Sequence, residues 1–279
     1  MRRTLISAAL LGCIAPAALA ADRSTIRIAT EGAYAPWNFT SAGGRLEGFE
    51  IDLIADLCER MDARCEIVAQ AWDGIVPALL DGRYDAIVAG MPITGERREV
   101  IDFSRAYATT PARFVAPKDG DLAGFSTAVE RVDLAEISVE EQEAIEATIE
   151  ALRGRTVGVQ TATPHESFLR EKLGDEIGVR TYDTPDDLDR DLEAGRVDVA
   201  LADSGYWAPL LRSEEGQDLA MIGPAFSGGI FGEGVGVGLR KGEEELRSMF
   251  DDAIDAALGD GTIGALTEKW FGFDASATR

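Results

Sequence analysis

Glu31 is the acid around which a site could be built. It sits in the run ATEGAYAPWNF, residues 29–39, with Tyr34, Trp37 and Phe39 close by. One carboxylate among aromatic rings suits a cationic group, because ring faces attract the cation and the carboxylate neutralises it. Further along, Trp72 stands beside Asp73-Gly74, Arg97 follows Thr94-Gly95-Glu96, and Asp203 closes Ala200-Leu201-Ala202. From the residues alone, plain readings come first. Arg97 could be a helix-surface residue paired with Glu96 or Glu99, Asp203 the N-cap of a following helix, and Trp72 and Trp37 core. The single histidine, His165, and the absence of any Gly-x-Ser-x-Gly argue against a Ser-His-Asp hydrolase. One histidine and three cysteines are too few for a structural zinc site, and no cofactor is expected.

The elements that must position these residues alternate in type. Ile26–Thr30 reads as a strand, and the turn through Gly32 and Pro36 follows it. Phe49, Leu53, Ile54 and Leu57 have helical spacing in a segment that runs to about Met61. Cys65–Ala69 and Asp85–Ala89 read as strands, Ile75–Leu80 and Gly95–Val100 as helices, the last capped by Thr94. This βαβα order predicts a mostly parallel sheet with helices on its faces, and ligands bind such sheets at the strands' carboxyl ends. Residues 119–152 are acidic, with Ser138-Val139-Glu140-Glu141 as a capping box opening a helix over Val139–Leu152. From Thr156 the alternation resumes: strands at Val157–Gln160, Val179–Tyr182 and Val197–Leu201, helices at His165–Lys172, Thr184–Ala194 and Ser204–Arg212. A strand at Val235–Leu239 and helices at Glu243–Leu258 and Thr262–Phe271 complete the chain. The expectation is two α/β lobes with a cleft between them. Residues 21–109 and 235–279 would form lobe I and residues 110–234 lobe II, with chain crossings near Tyr107–Val115 and Gly232–Val237.

Composition narrows the function classes. The chain has 279 residues, 46% of them apolar, enough for two ordinary domains. The formal net charge of −23 excludes nucleic acid as a natural partner, since phosphates demand a basic surface. Such charge also favours a soluble monomer. Residues 1–20 have two arginines, an apolar run and Ala18-Leu19-Ala20, the parts of a secretory signal peptide cleaved after Ala20. A lipidation site at Cys13 is the competing reading. Cys58 and Cys65, with six residues between them, read as a disulfide in an oxidising compartment.

The runs GFEIDLIADLCERM, AQAWDGIVPAL, YDAIVAGMPITGERREVIDFS, VGVQTATPHESF, GRVDVALAD, GPAFSGGIFGEGVGVGLRK and DGTIGALTEKWFGFD, with ATEGAYAPWNF before them, carry a resemblance. In that order they resemble the polar-amino-acid family of solute-binding proteins of ABC importers, in the branch for basic amino acids and arginine-derived opines. The acidic segment 119–152 is similar to an insertion of the opine-like branch. The resemblance implies a two-lobed periplasmic-binding-protein fold of type II, closure on a small amino acid or opine, hand-off to an ABC permease, and a periplasmic location. It implies that Arg97 grips the ligand α-carboxylate and Asp203 the α-ammonium, that Tyr34 and Trp72 sandwich the ligand side chain, and that Glu31 faces a distal cation. It also implies that Gly90 and Thr163 line the ligand, and it matches a family disulfide at Cys58–Cys65. Pro92 and Pro164 depart from the family's Ser or Thr and remove two N–H donors expected near the carboxylate. His165 stands where some relatives offer a polar contact. Two other roles share the fold: a soluble sensor that presents ligand to a receptor, and a cyclohexadienyl dehydratase-like enzyme.

Overall fold

The computed structural model describes residues 25–278, so the expected signal peptide over 1–20 and Cys13 lie outside the described residues. β1 (Thr25–Thr30) sends Ile26 and Ile28 into the core. β2 (Ala33–Tyr34), β3 (Asn38–Thr40) and β4 (Leu46–Glu47) then form a small antiparallel sheet in the segment read as an aromatic loop. α1 (Phe49–Arg60), β5 (Arg64–Ala69), α2 (Ile75–Leu80), β6 (Ala86–Ile87), α3 (Gly95–Val100) and β7 (Asp102–Ala108) complete the first unit. β6 is shorter than the strand expected over Asp85–Ala89.

The second unit opens with β8 (Ala112–Pro117) and β9 (Arg131–Asp133), neither anticipated from the pattern. α4 (Val139–Leu152) follows, with the capping box formed: Glu141 N–H donates to Ser138 Oγ while Glu141 accepts from Ser138 N–H. β10 (Thr156–Gln160) leads to α5 (Pro164–Phe168), whose N-cap is Thr163. The single helix expected over His165–Lys172 is divided, because after Phe168 the chain widens into a π-helical turn at Leu169–Leu173, which keeps Leu169 and Leu173 buried. β11 (Gly178–Tyr182), α6 (Pro185–Glu193), β12 (Val199–Asp203), α7 (Ser204–Leu210) and β13 (Leu219–Ser227) follow. β14 (Val235–Leu239), α8 (Glu244–Gly259) and α9 (Thr262–Phe271) return to the first unit.

The first large sheet has the order β5-β1-β6-β14-β7, with β1 parallel to β5 and β6, and β14 antiparallel to β6 and β7. The second has the order β11-β10-β12-β8-β13-β9. Its β10, β11 and β12 are parallel and β8 antiparallel to both neighbours. The chain passes between these sheets twice, at 109–111 and 228–234. Leu246, Phe250 and Ile254 of α8 and Ile263 and Phe271 of α9 join Ile26, Phe49 and Leu53 in one core, so the C-terminal helices close the first sheet. Each such fully buried side chain contributes about 1.5–3 kcal/mol. Cys58 and Cys65 form a disulfide that ties the end of α1 to β5. Among the described residues no helix is long and apolar enough to cross a membrane.

Candidate functional site

A cavity of about 270 Å³ lies where the two large sheets face each other. Its wall is built at strand ends: Glu31 after β1, Trp72 after β5, Gly90 after β6, Thr163 after β10 and Asp203 at the end of β12. Tyr34, on β2, completes this side. Six of the seven expected site residues therefore share one cavity. Arg97 is the exception, since it lines an adjoining groove with Ala162, Thr163 and Pro164.

Arg97 is held in place without an acid. Its guanidinium lies 5.2 Å from the centre of the Trp72 ring, Nη1 donates to Pro92 O at 3.0 Å, and Nη2 donates to Ala162 O at 3.3 Å. The pairing with Glu96 or Glu99 is not formed, and among the described residues Arg97 forms no ion pair. Burial pulls its pKa down to about 10, so it remains charged at neutral pH. Trp72 is buried and donates Nε1–H to the same Ala162 carbonyl at 3.4 Å, so the two residues brace the first unit against the start of α5.

Asp203 fulfils its plainer reading and also faces the cavity. Its Oδ1 caps α7 by accepting from Gly205 N at 2.8 Å and Tyr206 N at 3.1 Å, and also from Trp37 Nε1 at 3.3 Å. Oδ2 accepts from the Tyr34 hydroxyl across the gap between the sheets. Burial pushes its pKa up against these bonds and one from Thr110. Trp37, read as packing, is indeed only 1% exposed against Phe49 and Phe271, yet its indole N–H touches the site acid. The Tyr34 ring lies parallel to Tyr206 with centroids 5.1 Å apart, so a protein ring already covers one of its faces.

Glu31 is 7% exposed and accepts one hydrogen bond, from Gln160 Nε2 at 2.7 Å. Burial, aided by the charges of Glu50 and Asp186, raises its pKa to about 7. Gly90 has φ of +59°, and a Cβ there would stand 3.3 Å from the Tyr34 ring, so glycine suits the position on both counts. Its N–H donates to Glu50 Oε1 at 2.6 Å and is committed to the protein. Thr163 spends its hydroxyl on Gln160 O at 2.7 Å and on capping α5. His165 also lines the cavity, 5.4 Å from Phe231 between ring centres. Burial, and secondarily Arg97, lower its pKa to about 4, which keeps it neutral.

Among the described residues the lining carries three acids, Glu31, Asp203 and Glu233, and neither lysine nor arginine. Glu233 is exposed and pairs with Arg98 at 3.2 Å. Glu31 and Asp203 form no ion pair among the described residues. The cavity lining is thus acidic and the adjoining groove holds a cation.

The sequence from 26 to 273 matches the model of the bacterial extracellular solute-binding proteins, family 3. The chain belongs to that family. This solute-binding protein is 39% identical over 294 aligned residues to the octopine-binding periplasmic protein of Rhizobium meliloti, covering 99% of each chain. It is 35% identical over 274 residues to the L-arginine-binding protein of Pseudomonas aeruginosa, covering 95% of this chain and 96% of that one. Among solved structures, a periplasmic His/Glu/Gln/Arg/opine family-binding protein from Silicibacter pomeroyi in complex with lysine superposes with a TM-score of 0.71. That pair is 35% identical and covers 91% of this chain and 100% of the other. All three relatives are named for what they bind. The solute-binding protein has the two-lobed type II fold of these structures, as the resemblance implied.

Three contributors escaped the sequence reading: Glu50, Gln160 and Thr110. Glu50 was detectable, because it occupies the apolar stripe of α1 with Leu53, Ile54 and Leu57, and an acid there must be buried. It is fully buried, held by Asn38 Nδ2 at 2.6 Å and the Tyr107 hydroxyl, and burial raises its pKa to about 7. Gln160, at the end of β10, and Thr110, in the crossing at 109–111, gave no such signal, since polar residues are ordinary at both places.

Proposed function

We propose that this chain is an extracytoplasmic receptor for a cationic amino acid or an arginine-derived opine, which it binds by lobe closure and hands to an ABC permease. The observation that carries the reading is the acidity of the cavity: among the described residues, Glu31 and Asp203 form no ion pair and no lysine or arginine lines the wall. A ligand with a distal cation would place it against Glu31, with its carboxylate at Arg97 and its amine toward Asp203. Trp72 and Tyr34 would flank the side chain, and Gly90 and Thr163 would complete the wall. To admit an ammonium at Asp203, the Tyr34 hydroxyl must turn away from Oδ2, so ligand replaces a contact the protein makes to itself. The lobes in this reading are 21–109 with 235–279, and 110–234.

The closed form is favoured to the extent that the ligand touches both lobes, as differential affinity requires. The protein acts without chemistry, as a monomer in the periplasm. A thermal-shift screen against amino acids and opines tests the ligand class, because a ligand that binds only the folded state raises apparent stability. Basic amino acids or opines should raise the melting temperature, and acidic ones should not. A response to acidic ligands, or to none of the set, refutes the assignment.

A further inference from the structure

Two half-buried arginines form no ion pair among the described residues: Arg97, and Arg113 of β8. Arg113 lines a separate cavity of about 360 Å³ with Ser204, Arg131, Ser126 and the exposed Glu130. Of its five N–H donors, one is engaged, Nη2 to Gly223 O at 3.1 Å. Its buried Nε and the buried hydroxyl of Ser204 have no hydrogen-bond partner. Unpaired buried polar groups are costly and uncommon in folded proteins, so two bordering one cavity point to an absent partner. Arg131 adds a second guanidinium, and neither arginine forms an ion pair with Glu130.

Two irregularities make the space. β13 breaks register with β8 between Ile222 and Phe226, carrying Gly223 and Ala225 to one wall. The segment before β9 supplies the other wall through Ser126, Thr127 and Val129. Ser204 follows the site acid Asp203 directly, and its N–H donates to Pro111 O at 2.8 Å, in the first crossing between the sheets.

We propose that this cavity is a second binding site, for a small oxyanion held by Arg113, Arg131 and Ser204, on the segment that carries Asp203. An oxyanion supplies acceptors for Arg113 Nε and the Ser204 hydroxyl together, which water, as a neutral group, does less well beside a guanidinium.

Sulfate and acetate are the probes, titrated at constant ionic strength against chloride and followed by melting temperature and calorimetry. Constant ionic strength matters because the net charge of −23 repels anions generally. The wild-type protein should show saturable binding of sulfate, acetate or both, which separates tetrahedral from planar occupants. Ser204→Ala and Arg131→Gln should each weaken it about tenfold, the loss typical of one charge-assisted hydrogen bond. Arg113→Gln should remove it. Arg131 is exposed, so its variant tests the site even if Arg113→Gln fails to fold. A non-saturating rise shared by all variants is the general stabilisation that excluded salts give, and overturns the proposal. Absence of binding in the wild type overturns it as well.

Discussion

Glu31 gives the sharpest prediction, because its protonation should control ligand affinity near neutral pH. Its pKa stands at about 7, raised from 4.5 by burial. A shift of this size corresponds to about 3 kcal/mol disfavouring the carboxylate in the unliganded protein. A ligand cation beside it restores the charged form and drives the proton off. Below pH 7 the ionised fraction falls about tenfold per pH unit, so the Kd of a cationic ligand should rise about tenfold per unit there and level off above about 8. At pH 6 binding should release about 0.9 proton, and at pH 8 about 0.1. Stability of the unliganded protein moves the other way. A carboxyl whose folded pKa is raised binds more protons folded than unfolded, so its contribution declines as pH rises from about 4.5 to about 7. Calorimetry of arginine or octopine in buffers of different ionisation enthalpy reads the proton count directly. Glu31→Gln leaves an acceptor for Gln160 and should give weaker binding that has lost the tenfold-per-unit dependence around pH 7. The reasoning is refuted if Kd is flat from pH 5.5 to 8 in the wild type, or if the glutamine variant keeps the same pH dependence.

Arg97→Ala should weaken every amino-acid ligand by at least about a hundredfold, since two charge-assisted bonds are lost, and should also lower the melting temperature, because the contacts to Pro92 O, Ala162 O and the Trp72 ring go with it. Tight binding by that variant in calorimetry would remove Arg97 from the site. Gly48→Ala should destabilise the fold by more than about 2 kcal/mol. Its φ is +131° and a Cβ would stand 2.5 Å from Trp37 O, so denaturant melts showing near-wild-type stability would count against this geometry. Reduction of Cys58–Cys65 frees a short loop and should cost about 2.5 kcal/mol on the chain-entropy relation. An unchanged urea midpoint under reductant would show that the bond contributes nothing.

Much of the fold was legible because it is locally encoded. The Ile26/Ile28 alternation, the Phe49–Leu57 stripe, the caps Thr94, Ser138 and Thr184, and the glycine ending α8 all act within a few residues of themselves. The two lobes followed from counting such units. The strands β8 and β13 were not legible. They pair antiparallel over more than a hundred residues of sequence and are buried on both faces in parts, which removes the alternation a reader looks for. The small sheet β2-β3-β4 was hidden by strands of two or three residues.

The same division holds at the site. Residue type alone proposed an acid among rings at Glu31, and the family resemblance a carboxylate grip at Arg97. Only the tertiary structure decided that Glu31 lies 2.7 Å from Gln160 of the other unit, and that Asp203 caps its helix while accepting from Tyr34. It alone placed Arg97 in the neighbouring groove rather than in the cavity wall. The physical reason is range. Propensity, capping and amphipathic spacing are properties of a short stretch and can be read there. Burial, hydrogen-bond saturation and the pKa of a carboxyl depend on groups brought together by folding, 129 residues apart in the case of Glu31 and Gln160.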